Sequence, residues 1–172
     1  MAGQDRHALP DRRFRHRLHP QRRPRRRKAI ARAESLTLRA ATAADIPAIL
    51  AIRDKAGDDR LSDPASVTAA GAARLIADGA LLVWQDSDGR LGGFAAGDAR
   101  NGTIWALLVM PGDEGRGIGR ALLRATCETL RQAGHKTAAL RLEVGTRAER
   151  HYRADGWTGT AEKGVLVLTK VL

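Results

Sequence analysis

Apolar and polar positions follow regular periods along most of the chain. Residues 36–42 alternate apolar and polar side chains, which predicts a first strand, because successive strand residues face opposite sides of a sheet. Residues 43–57 then carry apolar positions at helical spacing and predict a first helix. Residues 66–79 predict a second helix, with Ser66 as its N-cap and Gly79 at its end.

The next part of the chain predicts hairpins and then a long helix. Residues 80–111 read as three strands, because the turn sequences at 86–89 and 100–102 interrupt apolar runs. Residues 117–134 have good helix propensity and end at a glycine, so they predict a third helix. The remaining predicted elements are a fifth strand at 136–144, a short fourth helix at 147–156 and a closing hairpin at 157–172.

The predicted order is β-α-α-β-β-β-α-β-α-β-β. Three consecutive hairpin strands followed by a β-α-β unit imply a mixed sheet, antiparallel first and partly parallel later. We therefore expect an α/β (α+β) domain. Its sheet would be mostly antiparallel, with about seven strands and with helices on both faces.

Charge divides the chain into two parts. Residues 1–33 contain 12 Lys/Arg and 2 Asp/Glu, whereas residues 34–172 contain 18 and 17. We therefore expect a basic tail at 1–33, disordered because like charges repel, followed by one folded domain at 34–172. The tail has three interpretations: an arm for polyanions, a solvated tail, or upstream sequence translated in frame before a true start near Leu36. Its Arg-rich composition is typical of a GC-rich bacterial genome and favours the last two, so nucleic acid is not the expected partner.

Composition also indicates the compartment. The chain contains no apolar run that is long enough to cross a bilayer, and no apolar region of a secretory signal follows the basic start. Cys127 is the single cysteine, so the chain has neither an internal disulfide nor a cysteine-based metal site. A cytoplasmic protein without a metal and without membrane contact is the expectation. Cys127 itself is expected to be a small buried hydrophobe.

The candidate chemistry begins at the glycine-rich stretch VMPGDEGRGIGRALL, residues 109–123. Glycines at 115, 117 and 119 stand between a predicted strand and a predicted helix, beside Arg116 and Arg120. Backbone N–H groups at a helix amino end bind anions, and glycine lets the ligand approach closely. The spacing matches neither the Gly-x-Gly-x-x-Gly of dinucleotide sites nor a P-loop, which would end in Gly-Lys-Ser/Thr.

The stretch resembles the acetyl-CoA motif of the GNAT acyltransferases, Gln/Arg-x-x-Gly-x-Gly/Ala. Gly117 and Gly119 match the motif glycines, whereas Glu114 replaces the Gln/Arg and is expected to point away from the ligand. The predicted element order is also that of the family, from residue 36 to the carboxyl end.

A second GNAT motif is similar to the fourth predicted helix. Ala148-x-x-x-Tyr152-x-x-x-Gly156-Trp157 resembles the family's Ala-x-x-x-Tyr-x-x-x-Gly-Phe. The family usually has Asn three residues before that Ala, and Gly145 stands there instead, which removes one cofactor contact.

The resemblance implies acetyl-CoA as acyl donor. Backbone N–H groups of the glycine-rich turn would bind the pyrophosphate, with the two arginines as charge partners. The end of the fourth strand would pair with the pantetheine arm in a gap beside the fifth strand, and one N–H there would polarise the thioester carbonyl. The residues expected to bind the cofactor are Leu107, Leu108, Val109, Gly115, Arg116, Gly117, Ile118, Gly119 and Arg120.

The resemblance also implies the catalytic groups. Tyr152, the single tyrosine, would protonate the leaving thiolate, whereas its neighbour His151 is expected on the surface. The general base is open: Glu143 faces away from Leu142 on the fifth strand, Asp98 ends the third strand, and water is a third option. We assign Tyr152 and Glu143 as the candidate catalytic residues.

The expected activity is transfer of an acetyl group to a primary amine of a small molecule or peptide. An acidic loop with Asp58, Asp59 and Asp63 would suit a cationic amine, although a solvated loop is the simpler interpretation. Trp84 and Trp105 are candidates for the acceptor pocket or for the core. Two other functions stay open, a non-catalytic acyl-CoA sensor and a nucleic-acid-associated protein. The protein would act as a monomer or a homodimer.

Overall fold

A seven-stranded sheet lies at the centre of the computed structural model, which describes residues 37–56 and 67–172. Four α-helices and a short 3₁₀ turn at Ala43–Asp45 accompany it in this part of the chain. The strands are β1 (Thr37–Ala40), β2 (Leu81–Gln85), β3 (Leu91–Asp98), β4 (Thr103–Val109), β5 (Thr137–Glu143), β6 (Thr158–Glu162) and β7 (Val165–Val171). The helices are α1 (Ile46–Lys55), α2 (Ala69–Ala77), α3 (Ile118–Gln132) and α4 (Arg147–Ala154).

The strands are arranged in the order β1-β2-β3-β4-β5-β7-β6. Neighbouring strands are antiparallel except for β4 and β5, which run parallel and are joined through α3. This arrangement confirms the predicted element order and the mixed sheet. The predicted turns are also present, and in the closing one Lys163 and Gly164 both have positive φ, as a tight hairpin turn requires.

One helix start was predicted wrongly. The second helix, α2, begins at Ala69, and its N-cap is Thr68 rather than Ser66. Thr68 has extended backbone angles, and its hydroxyl accepts a hydrogen bond of 3.0 Å from the N–H of Gly71. An N-cap must directly precede the first helical residue, so a serine three residues upstream of Ala69 does not cap it.

Several expectations concern residues outside the described part of the chain. These are the basic tail, the boundary near Leu36, the end of the first helix at Gly57, Ser66 itself and the acidic loop with Asp58, Asp59 and Asp63.

The two faces of the sheet pack against different helices. On one face, α1 and α2 cover β2, β3 and β4 through a core that includes Ile49, Ile52 and Phe94, all fully buried. On the other face, α3 and α4 pack on β4, β5 and β7 through a second core. Its buried residues include Leu140 of β5 and Trp157, which follows α4. Successive side chains of a strand point to opposite faces of the sheet, so buried residues occur on both faces and helices cover each of them.

Small residues on β3 bring α3 close to the sheet. A Cβ atom on Gly93 would lie 2.8 Å from the carbonyl oxygen of Leu108 and 3.1 Å from Cδ1 of Leu122. A Cβ atom on Gly97 would lie 2.9 Å from Cγ2 of Thr126. Larger residues at these positions would push α3 away, so the two glycines set the position of the helix and of the loop at its amino end.

This close approach predicts that Gly93→Ala destabilises the fold. The added methyl group must displace either backbone or well-packed side chains, which costs about 1–3 kcal/mol of unfolding free energy. Denaturant unfolding measures the loss. Gly119→Ala is the control, because its Cβ would meet only Cγ2 of Val109 at an ordinary 3.5 Å. Equal stability of the two variants would contradict the packing argument.

Candidate active site

A gap opens between β4 and β5. The two strands pair only at Thr103 with Ala139 and at Ile104 with Leu140. Beyond these pairs β4 continues to Val109 along β3, and β5 continues along β7, without contact between them in the ladder. Ligands of open sheets bind outside the carboxyl ends of strands where the strand order changes, and this gap lies at such a point.

A β-bulge in β4 accounts for the separation. Ala106 pairs with Ala96 and Ile104 pairs with Gly97, so Trp105 is an extra residue in β4. Ile104 contributes to the core under α3 and α4, whereas both Trp105 and Ala106 pack on the side of α1 and α2. A bulge bends its strand, and here it turns β4 away from β5, as the family resemblance implies.

The glycine loop, residues 110–117, connects β4 to α3 at the mouth of the gap. Gly112, Gly115 and Gly117 have φ angles of 88°, 72° and 83°, which side-chain-bearing residues rarely adopt. A Cβ atom on any of them would meet no atom within 4 Å, so this side of the loop faces open space. Gly117 is the N-cap of α3 and provides no side-chain cap. The first N–H groups of α3 therefore remain available to a ligand.

The two arginines predicted as charge partners differ in their surroundings. Arg116 donates to the carboxylate of Asp113, and its guanidinium lies 5.6 Å from the ring centroid of Trp84. Arg120 is exposed on the first turn of α3. Arg116 is thus already engaged by protein groups, while the charge of Arg120 faces solvent.

Asp113 is a buried charged residue of the glycine loop that the sequence analysis did not single out. It is only 5% exposed, and it accepts hydrogen bonds of 2.7 and 3.2 Å from Arg90, which follows the β2–β3 turn. The hydrogen bonds from Arg90, followed by those from Arg116, lower the pKa of the Asp113 carboxyl. The sequence offered one signal of a special role, a carboxylate within a stretch predicted to bind an anion. Its partner Arg90, however, is 23 residues away along the chain.

The two departures from the family motifs are explained by local contacts. Glu114 is exposed and pairs with Arg147 at the start of α4 over 3.3 Å. Gly145 has a φ of 83°, and its N–H donates to the Glu149 carboxylate at 2.7 Å. The acidic residue is thus turned toward α4, and the glycine forms the turn that precedes α4.

Tyr152 lies on the α3 and α4 side of the sheet. It is 5% exposed and contacts Trp157 edge to face, with ring centroids 5.7 Å apart. Burial raises the pKa of its hydroxyl well above the usual value. In residues 37–56 and 67–172, no hydrogen bond to this hydroxyl occurs. Among the same residues, Nε1 of Trp157 is the one fully buried side-chain polar atom without a hydrogen-bond partner.

Glu143 lies on the opposite side of the sheet from Tyr152. It is the last residue of β5 and is exposed, whereas its neighbour Leu142 is buried in the core that contains Tyr152. The carboxyl ends of parallel strands share one edge, so Glu143 is at the same end of the gap as the glycine loop. The two candidate catalytic residues therefore lie on opposite faces of the sheet.

Asp98, the alternative base, is not placed for this role. It pairs with Thr103, the first residue of β4, and so lies at the far end of the strand from the glycine loop. Its carboxylate accepts from Nε and Nη2 of Arg100 at 2.9 and 2.7 Å. These bonds lower the pKa of Asp98 to about 2, so it is a weak base.

The remaining candidates fall into ordinary positions. Trp84 is buried between the sheet and α3, and Trp105 packs partly buried against the core under α1. Cys127 packs half-buried against the core around Tyr152, where burial raises the pKa of its thiol, and His151 is exposed. The position of His151 confirms its surface interpretation, whereas Cys127 packs against the core but is only half-buried rather than buried as expected.

The described residues offer neither a metal site nor a membrane-spanning helix. No three or more His, Cys, Asp or Glu side chains between residues 37 and 56 or between 67 and 172 are grouped so that they could hold a metal ion. Within the same ranges, no helix combines the length and the apolar character that a membrane crossing requires.

The family of the chain follows from its sequence match. The family model of the acetyltransferase (GNAT) domain matches residues 53–165, which is more than half of the chain. The protein therefore belongs to the GNAT acetyltransferase family, and the resemblance stated above is confirmed. A search of curated protein sequences found no match.

Solved structures share the fold of this chain. PaiA N-acetyltransferase from Thermoplasma acidophilum, in complex with coenzyme A, has a TM-score of 0.69 at 13% identity, over 80% of this chain and 99% of that one. Ard1 from Thermoplasma volcanium has a TM-score of 0.66 at 18% identity, with 80% and 98% covered. YncA from Salmonella typhimurium, with its cofactor acetyl-CoA, has a TM-score of 0.62 at 24% identity, with 80% and 94% covered.

The loop geometry predicts different tolerance at two motif glycines. Gly117→Ala forces a left-handed backbone at a cost of about 1–2 kcal/mol and shifts the amino end of α3, so coenzyme A should bind more weakly. Gly119 lies inside α3 with room for a methyl group, so Gly119→Ala should leave binding unchanged and keep or raise stability. Calorimetric titration and thermal unfolding test both variants. Weaker binding by Gly119→Ala than by Gly117→Ala would contradict this geometry.

Proposed function

We propose that the protein is an N-acetyltransferase that moves the acetyl group of acetyl-CoA to a primary amine of a small molecule or peptide. The amine attacks directly while both substrates are bound. The observation that carries the proposal is the β4–β5 gap, which meets an uncapped helix amino end at a glycine loop. The family membership supports acetyl transfer, and the gap supplies a place for the donor.

Donor binding rests mainly on backbone groups. Acetyl-CoA supplies an activated thioester and a pyrophosphate. The N–H groups from Gly115 to Arg120 hold the pyrophosphate, with help from the exposed Arg120. Leu107, Leu108 and Val109 offer an unpaired strand edge to the pantetheine arm. A backbone N–H near Leu108 or Val109 then polarises the thioester carbonyl.

The two catalytic side chains act from opposite faces of the sheet. Tyr152 donates its proton to the leaving thiolate, and its buried environment keeps the phenol protonated over the working pH range. Glu143 accepts the proton of the attacking amine on the other face. The separate faces let the amine approach from the side opposite to Tyr152.

A panel of amines tests the proposal. Release of free thiol from acetyl-CoA is measured with polyamines, aminoglycosides and peptides with free amino ends, and mass spectrometry identifies the acetylated product. Turnover with at least one amine class is expected. Tight binding of coenzyme A together with no thiol release across the panel would instead indicate an acyl-CoA sensor, the alternative that the Glu114 and Gly145 departures favour.

Variants of the two catalytic residues give a second prediction. Tyr152→Phe should lower kcat about 100-fold or more while the Kd of coenzyme A is unchanged, because the hydroxyl acts only on the leaving group. Glu143→Gln should also lower kcat and leave that Kd unchanged. In the native protein, kcat should not fall up to about pH 10, because burial raises the pKa of Tyr152, whereas an ordinary tyrosine would be about half deprotonated at that pH. Unchanged turnover of Tyr152→Phe would exclude its acid role.

A further inference from the structure

The glycine loop contains an acidic residue, Asp113, that takes no part in the proposed chemistry. Asp113 stands between Gly112 and Glu114, in a loop that would receive a pyrophosphate. A carboxylate there repels the ligand unless its charge is compensated. The structure compensates it fully, because the nearly buried carboxylate accepts hydrogen bonds from two arginines, Arg90 and Arg116.

These contacts join the loop to two rigid parts of the fold. Arg90 also donates to Asp86 over 3.1 Å, so it is fixed to the β2–β3 turn. Arg116 lies over Trp84, which is buried with Ile118 of α3 in one small core. Asp113 thus connects the turn on one side to the start of α3 on the other.

The loop needs such a connection because its glycine-rich backbone can adopt many conformations. Three glycines with positive φ lie at 112, 115 and 117, and glycine gives up more conformational freedom on ordering than any other residue. A ligand that has to order this loop would lose that free energy from its affinity, whereas a loop ordered beforehand does not impose the cost.

We propose that Asp113 is a positioning residue for the cofactor site: held by Arg90, its carboxylate fixes Arg116 and the glycine loop before the donor binds. The role rests on the proposed function, since it presumes that the loop receives coenzyme A. Asp113 touches no reacting atom. Its contribution therefore lies in donor affinity and is absent from the chemical step.

The test uses the full-length protein and four measurements. Asp113→Asn is compared with the native protein by thermal unfolding, amide hydrogen exchange of the loop without ligand, calorimetric titration with coenzyme A, and steady-state kinetics. The expected result is faster exchange at residues 112–117, a Kd and a KM for acetyl-CoA raised about tenfold, and an unchanged kcat at saturation. Arg90 and Arg116 are both partly exposed, so water can solvate them and the variant is expected to fold.

Asp98→Asn is the matched control. Asp98 forms the same two-bond pair with an arginine beside a hairpin turn, but at the far end of β4. It should lose stability without any change in loop exchange or coenzyme A affinity. The double variant Arg90→Gln/Asp113→Asn should bind as weakly as Asp113→Asn alone, because both changes break one connection.

Each result has a defined meaning. Unchanged loop exchange in Asp113→Asn, or faster exchange with a native Kd, would overturn the positioning role. A lowered kcat with a native KM would overturn it as well. So would weaker binding of coenzyme A by the double variant than by Asp113→Asn alone. Absence of coenzyme A binding by the native protein would overturn the proposed function separately, because loop exchange is measured without ligand.

Discussion

The whole site depends on the early end of one strand pairing. β4 and β5 share two residue pairs and then separate, because Trp105 is an extra residue in β4. Had the ladder continued, the edge of β4 would be occupied by β5, and no slot would lead to the glycine loop. The bulge also turns successive side chains of β4 toward the α1 core, so the strand remains anchored on β3 and on that core while it leaves β5.

A second constraint fixes what lies at the mouth of the slot. The amino end of α3 is held by close packing on the glycines of β3, and the loop before it is held by Asp113. Both sets of contacts lie outside the glycine motif. The motif supplies the N–H groups, and the surrounding contacts fix their orientation. Glu114, which stands in place of the usual Gln/Arg, is exposed and pairs with Arg147 at the start of α4.

Local patterns were sufficient to predict the order of elements, because each strand and helix has a clear period and most turns have glycine or asparagine at the required place. They were not sufficient for features that depend on distant residues. The run IWALLVM, residues 104–110, is apolar throughout, so nothing in it marks Trp105 as an extra residue. Only the pairing with β3 reveals it. The ion pair from Arg90 to Asp113 joins residues far apart in the sequence. Ser66 and Thr68 are both good caps, and only the backbone angles decide between them.

The separation of β4 from β5 also has a consequence for how the chain folds. Strands β1 to β4 pair as consecutive hairpins or through the α1–α2 connection, and β5, β7 and β6 pair among themselves. Three of the six ladders, β2–β3, β3–β4 and β6–β7, are hairpins of consecutive strands, for which loop closure costs little. Each half of the sheet thus contains at least one local hairpin, whereas the β4–β5 ladder has two residue pairs and is the shortest in the described sheet. The gap therefore falls where the sheet is least continuous, and α3, which packs on both β4 and β5, holds the two halves together there.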